Sequence, residues 1–348
     1  MMRMTVLASG SKGNSAVIAS SRTRILVDAG LSCRELMRRM KLSGEDPYAL
    51  NAVIITHEHA DHVAGLSVLA RKLNIPVYFT EATHRAWVRQ MTPRTTMSYK
   101  QWLEKTRAEK EARLEAQALA HQIATSSQED RPDDHFFAID IDVDAIDATT
   151  DPEAALQAAA ADDLCEDLPA ETKSSVRDNP SYLPAVEYFE AGKRLCIGDI
   201  DVLPFTIPHD AADPCGFVFE GEGLRFGFAT DLGYVPQNVK LALKKCDVLL
   251  LESNHDLEML RDGPYPWSVK QRVLSRVGHL SNAAAAEFLT RDYDGGAHAI
   301  ILAHLSESNN MPELARLAAE QAVGNHPSLL GNRILLADQA APMEPLVM

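Results

Sequence analysis

Six residues, His57-Glu58-His59-Ala60-Asp61-His62, constrain this chain more than any other feature. They follow Asn51-Ala52-Val53-Ile54-Ile55-Thr56, an apolar, β-branched stretch that reads as a buried strand. They precede Val63, Leu66, Leu69, Ala70 and Leu73, which recur at helical spacing. The run therefore occupies the turn where a strand ends and a helix begins, and a short turn can aim several side chains into one space. Neutral imidazole and carboxylate are ligands for zinc, manganese or iron. An open catalytic zinc site uses three protein ligands, so four potential donors in one turn predict two adjacent metals, each with ligands from elsewhere. A lone histidine is usually a surface or satisfied core residue. Three in six positions, with an aspartate, at the mouth of a strand are not explained by packing. Glu58 is read as a solvated or supporting side chain.

The rest of the chain reads as alternating short strands and helices. Strand-like runs occur at Met4–Ala8, Ala16–Ala19, Arg24–Asp28, Ala52–Thr56 and Val77–Thr80, with helical patterns at Cys33–Leu42 and Val63–Leu73. A second set follows at Val202–Ile207, Phe217–Glu220, Leu224–Ala229, Val248–Glu252, Ile300–Ala303 and Ile334–Ala337. Its helical patterns are Val235–Leu243, Ser268–Val277, Ala283–Thr290 and Pro312–Ala322. Hairpin-like strands mixed with strand–helix units predict an α+β fold of two mixed sheets covered by helices.

With 348 residues the chain can bury a large core. The start leads straight into a strand, no run approaches the length of a membrane helix, and the five cysteines lack metal or redox spacing. These features predict a cytoplasmic protein with free thiols. The net charge of −15 is unfavourable for a nucleic-acid enzyme until it is located. Residues 126–190 carry 18 Asp or Glu against Arg131, Lys173 and Arg177, which leaves the remainder neutral. The acidity belongs to one segment and does not exclude a polyanionic substrate.

In the form His-x-His-x-Asp-His, the six-residue run resembles the signature of the metallo-β-lactamase superfamily. Three later segments extend the resemblance: Thr206-Ile207-Pro208-His209-Asp210-Ala211, Ala229-Thr230-Asp231-Leu232-Gly233 and Ile300-Ile301-Leu302-Ala303-His304-Leu305-Ser306. The resemblance implies a four-layer αββα sandwich in which His57, His59 and His209 hold one divalent metal. Asp61, His62 and His304 would hold a second, and Asp231 would bridge the two. An Asp where a true β-lactamase would carry Cys argues against that activity, and Cys215, though close to His209, is read as no ligand. Ligand type leaves zinc, manganese and iron open.

Within the superfamily the chain resembles the YycJ/WalJ family of exonucleases. The supporting pieces are Leu7–Ser15, Pro208–Ala211 with Pro214, Glu252-Ser253-Asn254-His255-Asp256, Tyr265-Pro266 and Gly278-His279-Leu280-Ser281-Asn282. Residues 93–187 depart from the family as an insertion. Tyr99 to about Ala124 is expected to be helical, and 126–179 is acidic, poor in large apolar residues and expected to be partly disordered. Ile139–Asp147 alternates with Asp on one face but lacks the Gly and Glu of a calcium loop. The insertion could mimic DNA or bind a basic partner.

The chemistry implied is a two-metal hydrolase in which a metal-bridging hydroxide attacks a phosphodiester. Asp61 is expected both to ligate and to orient the nucleophile. A resemblance to RNase Z in the last third makes His279 the proton donor and Glu252 its orienting carboxylate. Ser9, Ser11, Lys12, Asn14, Ser281 and Asn282 are candidate phosphate contacts, and His255 is a second donor or substrate contact. His84, His121, His135, His298 and His326 are read as structural or surface residues. The function expected is a 5′-to-3′ exonuclease on DNA, with nucleic acid as partner and no membrane. Its rivals are a small-molecule phosphodiesterase or lactonase on the same site, and a regulatory protein with structural metals.

Overall fold

The computed structural model describes residues 1–92, 181–324 and 332–348. The strands β1 (Arg3–Ala8), β2 (Ser15–Ala19) and β3 (Arg24–Val27) are followed by α1 (Cys33–Leu42), β4 (Ala52–Ile54), α2 (Ala60–Val63), α3 (Leu66–Leu73), β5 (Val77–Phe79) and α4 (Glu81–Met91). After residue 180 come β6 (Val186–Tyr188), β7 (Leu195–Ile197), β8 (Ile200–Thr206), β9 (Cys215–Gly221), β10 (Leu224–Ala229) and α5 (Gln237–Ala242). Then follow β11 (Val248–Glu252), α6 (Leu257–Asp262), α7 (Trp267–Val273), α8 (Asn282–Arg291), β12 (Ala299–Ala303), α9 (Pro312–Gly324), β13 (Arg333–Leu336) and β14 (Leu346–Val347).

Among the described residues the strands form two seven-stranded sheets, ordered β14-β1-β2-β3-β4-β5-β6 and β13-β12-β11-β10-β9-β8-β7. In the first, β3, β4, β5 and β6 run parallel while β14, β1, β2 and β3 pair antiparallel. The second repeats this division, parallel from β10 to β13 and antiparallel from β7 to β10.

Side-chain alternation then makes three cores. Ile25 and Val27 face the second sheet, where Val248, Leu250, Phe217 and Phe226 meet them. Leu26 and Val53 face outward to Leu36, Met40, Leu69 and Trp87 of the helices over the first sheet. Leu249, Leu251, Ile300 and Leu302 face outward to Phe288, Leu289, Ala315 and Ala319. Strands apolar on both faces lie between two helical layers, which is the αββα layering the resemblance implied.

Two expected helices differ. The run Val63–Leu73 is broken into α2 and α3 at Gly65, whose N–H bonds to Ala29 O at 2.8 Å. A Cβ on Gly65 would sit 2.0 Å from Leu31 O, so the interruption is where the β3–α1 connection lies against the chain. The helix expected over Ser268–Val277 starts at Trp267 and ends at Val273; the chain then turns back, and His279 N–H bonds to Val273 O at 3.0 Å. The short β6, β7 and β14 and the helices α4 and α6 carry patterns too brief or too mixed to read from sequence. The stretch whose end the sequence set at 187 runs into β6, which pairs Val186 with Val77. The helix expected at Tyr99–Ala124, the acidic 126–179 segment, the Ile139–Asp147 alternation, and His121, His135, Cys165 and His326 lie outside the described residues. The cysteines among the described residues are free thiols.

Candidate metal centre

The parallel strands of both sheets end on the same side of the sandwich as the functional side chains. Asp28 follows β3, Thr56 and His57 follow β4, Asp231 follows β10, Glu252 ends β11 and His304 follows β12. The carboxyl ends of parallel strands are the usual place for a site in such sheets. Asp28, Asp231 and His304 adopt left-handed backbone with φ of 58°, 60° and 57°. That conformation is uncommon outside glycine, and here it turns each side chain off its strand into one space.

The six-residue run reaches the same space from a turn braced by neighbouring loops. Asn14 N–H bonds to Asp61 O at 2.7 Å and Ala29 N–H to His62 O at 2.8 Å. A Cβ on Gly30 would lie 1.7 Å from Asp61 O, so only glycine permits this backbone approach.

Each of the three groupings that the sequence proposed is close in space. Single donor atoms of His57, His59 and His209 lie within 4.8 Å of one another, as do those of Asp61, His62 and His304. Asp231 groups with His57 and His62, and separately with Glu252, His279 and His304. Its Oδ1 lies 3.9 Å from His209 Nε2 and its Oδ2 3.5 Å from His62 Nε2, so the carboxylate stands between the two triads. Asp61 Oδ2 is 3.5 Å from both His62 Nε2 and His304 Nε2.

The imidazoles are oriented from behind. His62 Nδ1 is 2.8 Å from Asp28 Oδ2, His304 Nδ1 is 3.1 Å from Glu252 Oε1, and His209 Nδ1 is 3.2 Å from Gly278 O. His59 Nε2 lies 3.2 Å from Asp210 O. An acceptor at one ring nitrogen holds the proton there and leaves the other nitrogen's lone pair facing inward. The inward atoms then crowd with too few protons among them. His59 Nδ1 lies 3.1 Å from His57 Nε2 and 3.3 Å from His209 Nε2. Asp231 Oδ2 and His304 Nε2 are buried and have no hydrogen-bond partner among the described residues. Unpaired buried polar atoms around a shared space fit divalent cations.

Electrostatics divides the cluster. Burial drives the imidazoles of His57 and His59 down, and that of His209 to about 4, so this triad offers neutral nitrogens. Burial also opposes charge on His62, but the carboxylates of Asp61, Asp231 and Asp28 outweigh it and raise its pKa well above the ordinary value. His304 is raised likewise, against its burial, by Asp231, Asp61 and Glu252. Burial would raise Asp61 and Asp231, yet the surrounding imidazoles hold both well below the usual carboxylate range.

Glu252 is an organising carboxylate at the centre of the second sheet's contribution. Oε1 accepts from His279 Nδ1 at 2.7 Å and lies 3.1 Å from His304 Nδ1. Oε2 accepts from Leu232 N at 2.5 Å and Leu280 N at 3.2 Å, the residues next to Asp231 and His279. His279 keeps 19% of its side chain exposed, in contrast to His57, His62, His209 and His304, which are buried. Arg272 Nε lies 2.5 Å from Asp210 Oδ2 at the rim, beside His209.

Several residues expected at the substrate are occupied elsewhere. Ser9 Oγ accepts from His304 N at 2.7 Å, and Asn14 Nδ2 lies 3.1 Å from both Asp61 Oδ2 and His62 Nε2. Both brace the cluster from the protein side. Ser281 Oγ caps α8 through Ala284 N, and Asn282 is buried against Ser253 and Asn310. His255 is buried and its Nδ1 faces Asn254, so it offers no accessible donor. Ser11 and Lys12 are exposed, with Lys12 paired to Glu307. Glu58 is buried rather than solvated and accepts from Ala212 N at 2.9 Å, next to the His209 loop. Cys215 lies in the core between the sheets, where burial pushes its thiol to about 12.

Sequence reasoning missed Asp28, whose carboxylate also accepts from Thr56 N and Thr56 Oγ1 at 2.8 Å each. Its signal was a carboxylate ending an apolar strand, Ile25-Leu26-Val27-Asp28-Ala29-Gly30. It missed Asn254 as well, whose Nδ2 donates to His304 O at 2.8 Å and helps to hold the left-handed turn.

Comparison with known proteins agrees with this architecture. The family model of the metallo-β-lactamase superfamily matches residues 8–279. The chain is 30% identical to exodeoxyribonuclease YycJ of Bacillus anthracis over 322 residues, 92% of this chain and 89% of that protein. It is 31% identical to exodeoxyribonuclease WalJ of Streptococcus pneumoniae over 320 residues, 90% and 86% of the two chains. Among solved structures, the metallo-β-lactamase fold protein YhfI of Bacillus subtilis superposes with a TM-score of 0.55 at 13% identity, covering 99% of this chain and all of that one. Human tRNase Z, short form, gives 0.50 at 14% identity, covering 98% of both chains. Matched over most of its length by both the family model and these relatives, the chain belongs to the metallo-β-lactamase superfamily of hydrolases, in the YycJ/WalJ family.

Proposed function

We propose that this chain is a dinuclear metal-dependent phosphodiesterase of nucleic acid, and specifically a 5′-to-3′ exonuclease on DNA. The observation that carries the reading is the pair of three-donor groups with Asp231 between them. Divalent cations held by His57, His59 and His209 and by Asp61, His62 and His304, with Asp231 shared, would lower the pKa of water and neutralise phosphate charge. Zinc, manganese and iron all suit this donor set.

The protein's own groups supply the remaining chemistry. Asp61, less buried than Asp231, presents a carboxylate that can orient an attacking water. His279 donates its Nδ1–H to Glu252, which fixes the ring and turns its Nε2 away from that carboxylate. A proton on Nε2 can then pass to the leaving oxygen, and partial exposure lets a phosphodiester approach that face. The DNA preference and the polarity are supported by the names of the YycJ and WalJ relatives.

The test is an assay on end-labelled DNA and RNA with manganese, zinc or chelator, running Asp61→Ala beside the wild type. Stepwise shortening from the 5′ end of DNA, absent in the variant and with chelator, is the expected result. Intact polymers after incubation with metal-loaded wild type would refute it and point to a small-molecule ester.

A further inference from the structure

The nuclease reading accounts for the cluster and leaves open how a strand is held beside it. One stretch of chain leading to His279 carries positive charge together with exposed aromatic and apolar groups. From Gly263 to Ala286 the chain contains no acidic residue, in a protein whose net charge is −15. This stretch carries α7, the turn after it and His279. Its cations are Lys270, Arg272 and Arg276. Lys270 is buried and committed to the preceding turn, donating to Arg261 O at 2.7 Å and Gly263 O at 2.8 Å. The two arginines remain at the surface. Arg272 is 57% exposed while paired to Asp210, one residue from His209. Arg276 lies over the ring of Tyr234, 4.5 Å from its centroid, three residues beyond Asp231.

The same stretch exposes Trp267 at 66%, along with Leu274 and Val277. In contrast, Trp87 is fully buried in the core. Exposed indoles and guanidinium groups are what single strands use, since bases stack on the ring while phosphates meet the cations. A duplex keeps its base faces covered and would gain only the charge contacts.

We propose that Trp267 to Val277, together with Tyr234, forms a platform for single-stranded nucleic acid at the rim of the cluster. Trp267 stacks a base, and Arg272 and the Arg276–Tyr234 pair receive backbone phosphates. The substrate class rests on the nuclease reading; the position and the single-strand preference rest on this surface.

The test measures anisotropy of a fluorescein-labelled, phosphorothioate-linked single strand, which resists cleavage, on the manganese-loaded full chain. Trp267→Ala should weaken binding roughly tenfold, as expected for the loss of one stacked base. Trp267→Phe should stay near the wild type because it keeps a stacking face, and Arg276→Ala should weaken binding and flatten its salt dependence. Metal content and melting temperature should not change in these surface variants. Wild-type affinity in Trp267→Ala, or an equal loss for duplex and single strand, would overturn the platform. So would a change in oligomeric state at unchanged DNA affinity, which would assign this face to a second copy of the chain. If the strand binds through Trp267 while unmodified DNA survives metal-loaded wild type, the platform stands and the nuclease reading falls.

Discussion

Replacing Glu252 by Gln changes one atom and tests the organisation of the whole cluster. Four donors point at this buried carboxylate: two imidazole nitrogens at Oε1 and two backbone N–H groups at Oε2. An amide keeps one acceptor and turns the other into a donor. The backbone N–H groups cannot change role, whereas an imidazole can move its proton. The amide oxygen should therefore stay with Leu232 and Leu280, and its NH₂ should face His279 and His304. Backbone hydrogen bonds survive in weaker, neutral form, so metal-free stability should fall by only about 1–3 kcal/mol. The larger effect is at His304, which would take its proton on Nε2, the atom 3.5 Å from Asp61 Oδ2. Loss of such an orienting partner lowers metal affinity roughly 10- to 100-fold. Chelator competition would read the affinity, and urea unfolding of the metal-free chain would read the stability. Wild-type affinity combined with the stability loss would refute the tautomer argument and reduce Glu252 to a brace.

Three further outcomes are expected. His279→Ala should lower turnover on DNA by about 10²–10⁴-fold with metal content unchanged by elemental analysis, since the proposed function makes the residue a proton donor and assigns it to neither metal. Metal uptake near pH 7 should release protons, because His62 and His304, raised well above the ordinary imidazole range without metal, must become neutral to ligate. Affinity should accordingly weaken as pH falls, and calorimetric enthalpies should differ between buffers of different ionisation heat; identical enthalpies would refute this. Gly30→Ala should displace the Asp61 backbone, because its Cβ would meet Asp61 O at 1.7 Å. Normal metal content and melting temperature in that variant would show that the loop can yield.

The layered fold was legible because its strands are apolar on both faces. Val248-Leu249-Leu250-Leu251 reads as a buried run whichever core each residue enters, and the structure sends alternate residues to different cores. The His57–His62 run was legible because its donors are contiguous, while His209, Asp231 and His304 were found through segments at strand ends that resemble a family. Direction was not legible. Ser9 and Asn14 sit in a polar, glycine-containing loop of the kind that meets phosphate, yet their side chains turn inward to His304 and Asp61. Asp28 escaped notice because a single carboxylate at a strand end carries no spacing, and its role exists only once β3 and β4 are paired. The Trp267 surface escaped because exposure cannot be read from a mixed polar and apolar run.

The left-handed backbones at Asp28, Asp231 and His304 have a consequence for the life of the protein in a cell. Each costs an L-residue roughly 1–2 kcal/mol, so about 3–6 kcal/mol of strain is built in at synthesis, before any cation arrives. Cations that bind only the folded chain would restore that stability by mass action. A chain made under metal starvation would spend more time open and would be degraded sooner. Nutrient scarcity would then set how many copies persist, and a depleted cell would recycle the protein rather than keep an idle stock.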